Sequence, residues 1–222
     1  MNTDKIVKLI RYVSGIPKSI YVNFRLLPFR QALHLPILVS RKTKLKSLSG
    51  RAHITQIKTG IVRIGFGGID MLDYRYDRPV LQIKGDIHFK GKAKIGIGAK
   101  LLVDGTLYLG NNINITGDAL LICAKKISIG DDVMIAWRST LMDTDQHAIF
   151  NKNREQINPD QEIIVGDNVW IGSQSLILKG SDIKDGCIIG ANTTITKSFN
   201  TENAVIAGVP AKVLKADVTW QH

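Results

Sequence analysis

The sequence predicts an all-β fold, a solenoid of short extended sides stacked into coils. Two patterns carry this. From Val165 to Lys197 aliphatic residues recur every six positions, at Val165, Ile171, Ile177, Ile183, Ile189 and Ile195. Two residues before each of these stands a small or β-branched residue: Ile163, Val169, Ser175, Ser181, Cys187 and Thr193. Neither a 3.6-residue helix nor a period-two strand repeats every six, so the period marks an internal repeat. Each unit makes one side of about 20 Å or less at roughly 3.3 Å per residue, with its aliphatic side chain inward. Gly166, Gly172 and Gly190 take corners. Stacked coils then bury a continuous aliphatic column while their backbones pair. An aromatic content of 6% suits so narrow an interior.

The chain divides into a basic cap segment (residues 1–51), a β-helix domain (52–215) and a C-terminal tail (216–222). Residues 1–51 carry eleven Lys and Arg against one acid, Asp4, which is nearly all of the chain's net charge of +11. Residues 4–13 read as a helix with Ile6, Leu9, Ile10 and Val13 on one face, ended by Gly15 and Pro17. The run Tyr21 to Val39 reads as short extended pieces punctuated by Pro28 and Pro36. A basic cluster follows at Arg41, Lys42, Lys44, Lys46 and Arg51. Two readings stay open for the segment: a plain cap over the end of the solenoid, or a cap that also contacts anionic lipid or another polyanion. The basic stretch offers few aromatics for stacking and no nucleic-acid motif, which argues against nucleic acid as a partner. No run approaches the roughly 20 apolar residues of a membrane span. No secretory signal is visible either. The expected location is cytoplasmic, with peripheral membrane contact as the variant.

Between 52 and 96 the sequence predicts an irregular beginning of the solenoid. Ile61, Ile64 and the turn Gly65-Phe-Gly-Gly68 mark an imperfect coil, followed by a loop from Asp70 to Pro79. That Gly-rich turn lacks the Lys and flanking helix of a phosphate loop and reads as a tight corner. Regular repeats are expected over about 95–147 and 163–198. Ile97, Val103, Leu109 and Ile115 are six apart; Cys123 is eight on, implying a two-residue bulge or loop near Gly117-Asp118; Ile129, Ile135 and Leu141 resume the step. Cys123 and Cys187 read as reduced core residues, since no metal-type or CxxC spacing is present.

The next six-residue step from Leu141 lands on His147, a polar ring where an aliphatic is due. The pattern then vanishes until Ile163, so 148–162 reads as a polar loop ejected from the coil, a common place for a binding surface. Asp143, Asp145 and His147 alternate and would share one face if extended. A neutral imidazole, with an ordinary pKa of about 6.5, suits removal of a proton from an alcohol. A neighbouring carboxylate would fix its tautomer, with Asp145 the better placed and Asp143 the weaker candidate. Either acid could instead bind substrate hydroxyls.

The stretches Val165-Gly-Asp-Asn-Val-Trp-Ile-Gly-Ser173, Ile189-Gly-Ala-Asn192 and Ala207-Gly-Val-Pro-Ala-Lys-Val-Leu214 resemble the hexapeptide-repeat acyltransferases, most nearly the bacterial sugar and polysaccharide O-acetyltransferases. The resemblance covers roughly residues 80–215. It implies a left-handed parallel β-helix, usually a homotrimer, and acetyl-CoA as donor to a hydroxyl of a saccharide acceptor, with no metal. Handedness belongs to the resemblance, not to the spacing. His147 would be the general base. Trp170 and Gly172 would lie near the pantetheine arm, Gly190 and Ala191 would present backbone to it, and Thr196 and Lys197 would continue the site. Lys212 would meet a CoA phosphate. Asn192 departs from the family's frequent glycine. Asp143 and Trp137 are candidates for the acceptor pocket, Trp137 equally for a subunit interface.

Three other classes stand beside this reading. N-acylation of an amino-sugar nucleotide uses the same fold and base. A non-catalytic β-helix scaffold would show no CoA binding. A β-helix metalloenzyme needs three histidines at one metal, whereas His34, His53, His88, His147 and His222 are scattered in sequence.

Overall fold

The computed structural model describes residues 3–67 and 72–221. Gly68 and Asp70, in the expected turn and loop, and His222 lie outside the described residues. Two helices, α1 (Thr3–Leu26) and α2 (Phe29–Ala32), precede the first coil, which is β1 (Ile37–Val39), β2 (Lys44–Leu45) and β3 (Arg51–Ile54). The second coil is β4 (Val62–Ile64), β5 (Val80–Ile83) and β6 (Asp86–Phe89). The third is β7 (Ala93–Ile95), β8 (Lys100–Val103) and β9 (Thr106–Leu109); the fourth β10 (Ile113–Ile115), β11 (Leu120–Cys123) and β12 (Lys126–Ile129). The fifth is β13 (Met134–Ile135), β14 (Thr140–Met142) and β15 (Ile163–Val165); the sixth β16 (Trp170–Ile171), β17 (Leu176–Leu178) and β18 (Asp182–Ile183). The last holds β19 (Ile188–Ile189) and β20 (Thr194–Ile195), and a hairpin of β21 (Val205–Gly208) and β22 (Ala211–Lys215) closes it.

From β4 to β20 each strand pairs in parallel with the strand three before it, giving three sheets that form the faces of a left-handed parallel β-helix. Face A begins with β1, face B with β2 and face C with β3. The inward column is as the period predicts. Val165, Ile171, Ile177, Ile183, Ile189 and Ile195 are buried, and so are the small or branched residues two positions earlier. Each fully buried Ile or Leu contributes about 1.5–3 kcal/mol.

The position of the extra residue pair in the early coils is a correction. Ile95, Ile115 and Ile135 stack on face A, and Leu101, Leu121 and Leu141 on face B, each column advancing by an even six from the last. The step from Ile115 to Leu121 across Gly117-Asp118 therefore holds no bulge. Instead Leu121 and Cys123 both point inward on a four-residue strand, and the additional pair lengthens the coil at the B/C corner around Ala124-Lys125. Ile97 belongs to the A/B corner, not to the strand column. Pairing is also regular from the outset, because β1 is already in register with β4 and β4 with β7.

Corners repeat their chemistry. At the A/B corner Gly98, Asp118, Arg138, Gln174 and Asn192 all have positive φ. Asn192 sits there at φ +54°, in the left-handed region that asparagine enters more readily than most residues, so the missing glycine is accommodated. At the C/A corner Asn111, Asp131, Asp167 and Asp185 form a ladder. Each of these side chains accepts the backbone N–H of a residue one coil earlier, at 2.7–3.0 Å. Asp131 and Asp167 each follow a corner glycine, Gly130 and Gly166, so in those coils the Gly-Asp pair supplies the rung.

The N-terminal segment differs most from expectation. Gly15 and Pro17 do not end the helix, and Tyr21 to Leu26 is helical instead of extended. An interior proline costs a helix about 3 kcal/mol. Here tertiary contact offsets it. Gly15 lets the helix approach β1 so closely that a Cβ would lie 2.5 Å from Val39 O. The Ser19 hydroxyl accepts from Val39 N–H at 2.8 Å, and Asn23 exchanges hydrogen bonds with both backbone groups of Ile37. Val22, Leu26, Leu27 and Ala32 join the core. Helix α1 thus occupies the open edge of face A, where unpaired strand groups would otherwise invite another chain. A boundary at 51/52 is not observed, since it would cut through β3 and the first coil starts at Ile37.

Candidate active site

A loop leaves the B/C corner between β14 and β15 as expected, but β14 ends at Met142, so the regular repeat stops short of 147 and the excursion spans 143–162 instead of 148–162. Its root is fixed by Asp143, which occupies the inward position above Cys123 and is fully buried. The Asp143 carboxylate accepts the N–H groups of Ala124, Lys125 and Lys126 at 2.7, 2.9 and 2.7 Å. These bonds commit it to closing the preceding coil's corner. That is a correction to its expected place beside His147 or on acceptor hydroxyls.

Beyond it the chain turns at Gln146, whose N–H donates to Thr144 Oγ1 at 2.9 Å, and His147 emerges exposed. The His147 ring makes no hydrogen bond among the described residues, and its backbone carbonyl accepts from Asn158 Nδ2 at 2.8 Å. Asp145 does not meet the ring. Its Oδ2 accepts from Lys179 Nζ at 2.6 Å and from Asn158 Nδ2 at 2.8 Å. The hydrogen bond from Lys179, with that from Asn158 next, holds the Asp145 carboxyl below the ordinary carboxylate value. Lys179 also donates to the carbonyls of Asn158 and Pro159. Asn158 and Lys179 therefore anchor the loop on both sides of the histidine.

Neither residue was a sequence candidate. In sequence Asn158 is one more polar residue of the loop, and nothing in the six-residue pattern marks Lys179. The loop is also less polar than expected: it is a short hairpin through the Phe150–Gln156 bridge, exposing Ile149, Phe150 and Ile157.

The remaining candidates fall into separate groups. Thr196 and Lys197 lie exposed at the same B/C corner as His147, with Lys197 Nζ 5.6 Å above the Phe199 ring. Trp137, Gly172, Gly190 and Ala191 lie at the A/B corner, one side of the prism away, about 20 Å at roughly 3.3 Å per residue. Trp137 is half-buried with the Arg138 guanidinium 5.4 Å over its ring. Gly172 has a corner role of its own, since a Cβ there would meet Ile189 O at 2.6 Å. The Ala191 N–H has no hydrogen-bond partner among the described residues, leaving a backbone donor at that corner.

Trp170 projects outward on face A and is 37% exposed. The C-terminal tail folds back over this face: Trp220 lies 5.9 Å from the Trp170 ring and donates to Asn168 O at 2.7 Å. Lys212 is exposed on β22, opposite Ala207.

Both cysteines are free and buried. Burial, reinforced by the Asp143 charge, pushes the Cys123 thiol up to about 12, and burial raises Cys187 as well. Two of the scattered histidines do meet. His53 and His88 stack at 4.3 Å on face C, with Tyr108 next in the stack at 4.4 Å and Asp86 bonded to His53. Among the described residues no three His, Cys, Asp or Glu gather as a metal site.

Comparison with known proteins agrees with this architecture. The family described as bacterial transferase hexapeptide (six repeats) matches residues 162–197. An uncharacterized 24.8 kDa protein in the cps region of Klebsiella pneumoniae is 30% identical over 204 residues, covering 90% of this chain and 88% of that one. The polysialic acid O-acetyltransferase of Neisseria meningitidis is 37% identical over 128 residues, 57% of this chain and 60% of the relative. The galactoside O-acetyltransferase of Escherichia coli is 35% identical over 111 residues, 49% of this chain and 53% of the relative.

Proposed function

From the chain's membership of the hexapeptide-repeat acetyltransferase family, we propose that it transfers acetyl from acetyl-CoA to a hydroxyl of a sugar or surface-polysaccharide precursor, with His147 as general base. The observation that carries this reading is the state of His147. Its ring is exposed and unbonded, while its backbone is held by Asn158, which is itself bonded to Asp145. A base needs that combination of a fixed position and a free nitrogen.

In the proposed reaction the imidazole removes the acceptor hydroxyl proton as the oxygen attacks the thioester carbonyl, and returns a proton to the departing CoA sulfur. Negative charge on the carbonyl oxygen calls for backbone donors, for which the Ala191 N–H is available. Direct transfer is favoured over an acyl-enzyme, because both thiols are buried with raised pKa values. Asp145 is assigned a positioning role through Asn158 in place of direct contact with the ring. Trp170, Gly172, Gly190, Thr196, Lys197 and Lys212 remain proposed donor contacts, and Trp137 a proposed acceptor contact.

His147 and the A/B-corner positions lie on different corners of one chain. A homotrimer that sets the B/C corner of one copy against the A/B corner of the next would unite them. This supports the trimer as part of the proposal.

The test is acetyl-CoA consumption by the full chain against a panel of sugars, sugar nucleotides and polysaccharide fragments, with CoA binding titrated directly. Turnover with a hydroxyl acceptor is the expected result. CoA binding with transfer only to amino sugars would replace the O-transfer reading, and absence of CoA binding would overturn the transferase reading.

A further inference from the structure

Helix α1 turns one face to the fold and leaves a second, apolar face uncovered. Gly15, Ser19, Val22, Asn23 and Leu26 turn toward β1 and the core. Leu9, Val13, Ile16, Ile20 and Phe24, spaced by four, three, four and four, fall within about 80° of one another at 100° per residue, and Ile10 widens the stripe. All six are exposed, Ile10 by 60%. The stripe runs about 22 Å from Leu9 to Phe24 at 1.5 Å per residue. Phe29 on α2 extends it, 67% exposed, with its ring 5.6 Å from that of Phe24. An unbroken apolar stripe on this scale marks an interaction surface.

Charge identifies the occupant. Lys8, Arg25 and Arg30 stand exposed around the stripe. Among the described residues, no Lys or Arg from Lys8 to Arg51 pairs with a carboxylate, whereas lysines 84, 90, 100, 126, 179 and 184 all do. A second copy seated on the stripe would set two strongly basic segments within a Debye length of about 8 Å, where like charges repel. A bilayer with anionic headgroups offers acyl chains to the stripe and negative charge to the rim. No described helix is long and apolar enough to cross a membrane, and the charges at Lys8, Arg11, Lys18 and Arg25 bar α1 from the hydrocarbon core.

We propose that the outer face of α1, continued by Phe29, docks the protein on an anionic membrane surface, lying in its plane. The surface is separate from the loop and corners of the candidate active site, and vesicle binding is read without any acetyl transfer.

The test is co-sedimentation of the full chain with phosphatidylcholine vesicles, with and without about 30 mol % phosphatidylglycerol. Wild type is expected to sediment with the anionic vesicles, less so in high salt, and to stay in solution with phosphatidylcholine alone. An Ile10→Asp/Ile20→Asp variant and an Arg25→Glu/Arg30→Glu variant should each lose at least about tenfold in binding, with unchanged melting temperature. Failure of wild type to sediment with anionic vesicles overturns the proposal. So does a wild-type oligomer, measured by light scattering, that dissociates in the Ile10→Asp/Ile20→Asp variant without vesicles; the stripe is then an interface between copies.

Discussion

Lys179 and Asp145 are joined by a 2.6 Å ion pair across 34 positions of sequence, and the pair pins the loop that presents His147. Asp145 is held below the ordinary carboxylate value of 3.8 chiefly by this contact. A lowered carboxyl pKa means that the pair persists at neutral pH and is lost only as pH falls through the lowered value. Lys179→Met is therefore expected to free the loop and slow acetyl transfer by roughly 10–100-fold, with CoA affinity unchanged. Lys179→Arg should restore part of the rate. Full activity in Lys179→Met would show that the loop needs no anchor there.

Asp143 makes a distinct prediction because its work is internal. Removing a buried carboxylate that accepts three backbone N–H groups leaves those donors unpaired. Asp143→Ala should lower unfolding free energy by about 3 kcal/mol, read from urea denaturation. Unchanged stability with a raised acceptor KM would return Asp143 to the acceptor pocket.

Asn23 carries the attachment of the cap. Its side-chain amide gives 2.7 Å to Ile37 O and takes 3.1 Å from Ile37 N, as a neighbouring strand would. Asn23→Ala should destabilise the protein by about 2–3 kcal/mol and expose the edge of β1 to self-association, measured by urea titration and light scattering. A variant as stable and dispersed as wild type would show that packing alone holds α1.

His88 links the face C stack to pH. Burial first, then the His53 charge, lower its pKa, with Asp86 opposing. The unfolded chain therefore takes up this proton more readily, and stability falls as pH drops below about 6.5. His88→Gln should flatten the dependence of melting temperature on pH between about 7 and 5. An unchanged slope would place the acid sensitivity elsewhere.

The parts of this fold that were legible in the sequence are those fixed by near neighbours along the chain. The six-residue column, the small residues two positions earlier and the ejection of a loop beside His147 all follow from which side chains fit a narrow interior. Periodicity failed where two paths fit equally: Ile97 to Val103 and Ile95 to Leu101 are both six-residue steps, so spacing alone could not place the extra pair at the B/C corner. It also failed where distant residues decide. Helix α1 continues through Pro17 because Ser19 and Asn23 bond to β1, and His147 is held by Asn158 and Lys179, contacts with no local signature. The left-handed corner positions leave a fainter trace in Asn112, Asp132, Asn168 and Asn203 at the C/A corner, all with positive φ.

The proposed reaction turns on His147 as the base. Its most direct test compares wild type with His147→Ala for acetyl transfer to the best acceptor, with CoA binding titrated for both proteins. Unchanged CoA affinity and a rate lower by about 10²–10⁴-fold are expected. Equal rates in the two proteins would contradict it.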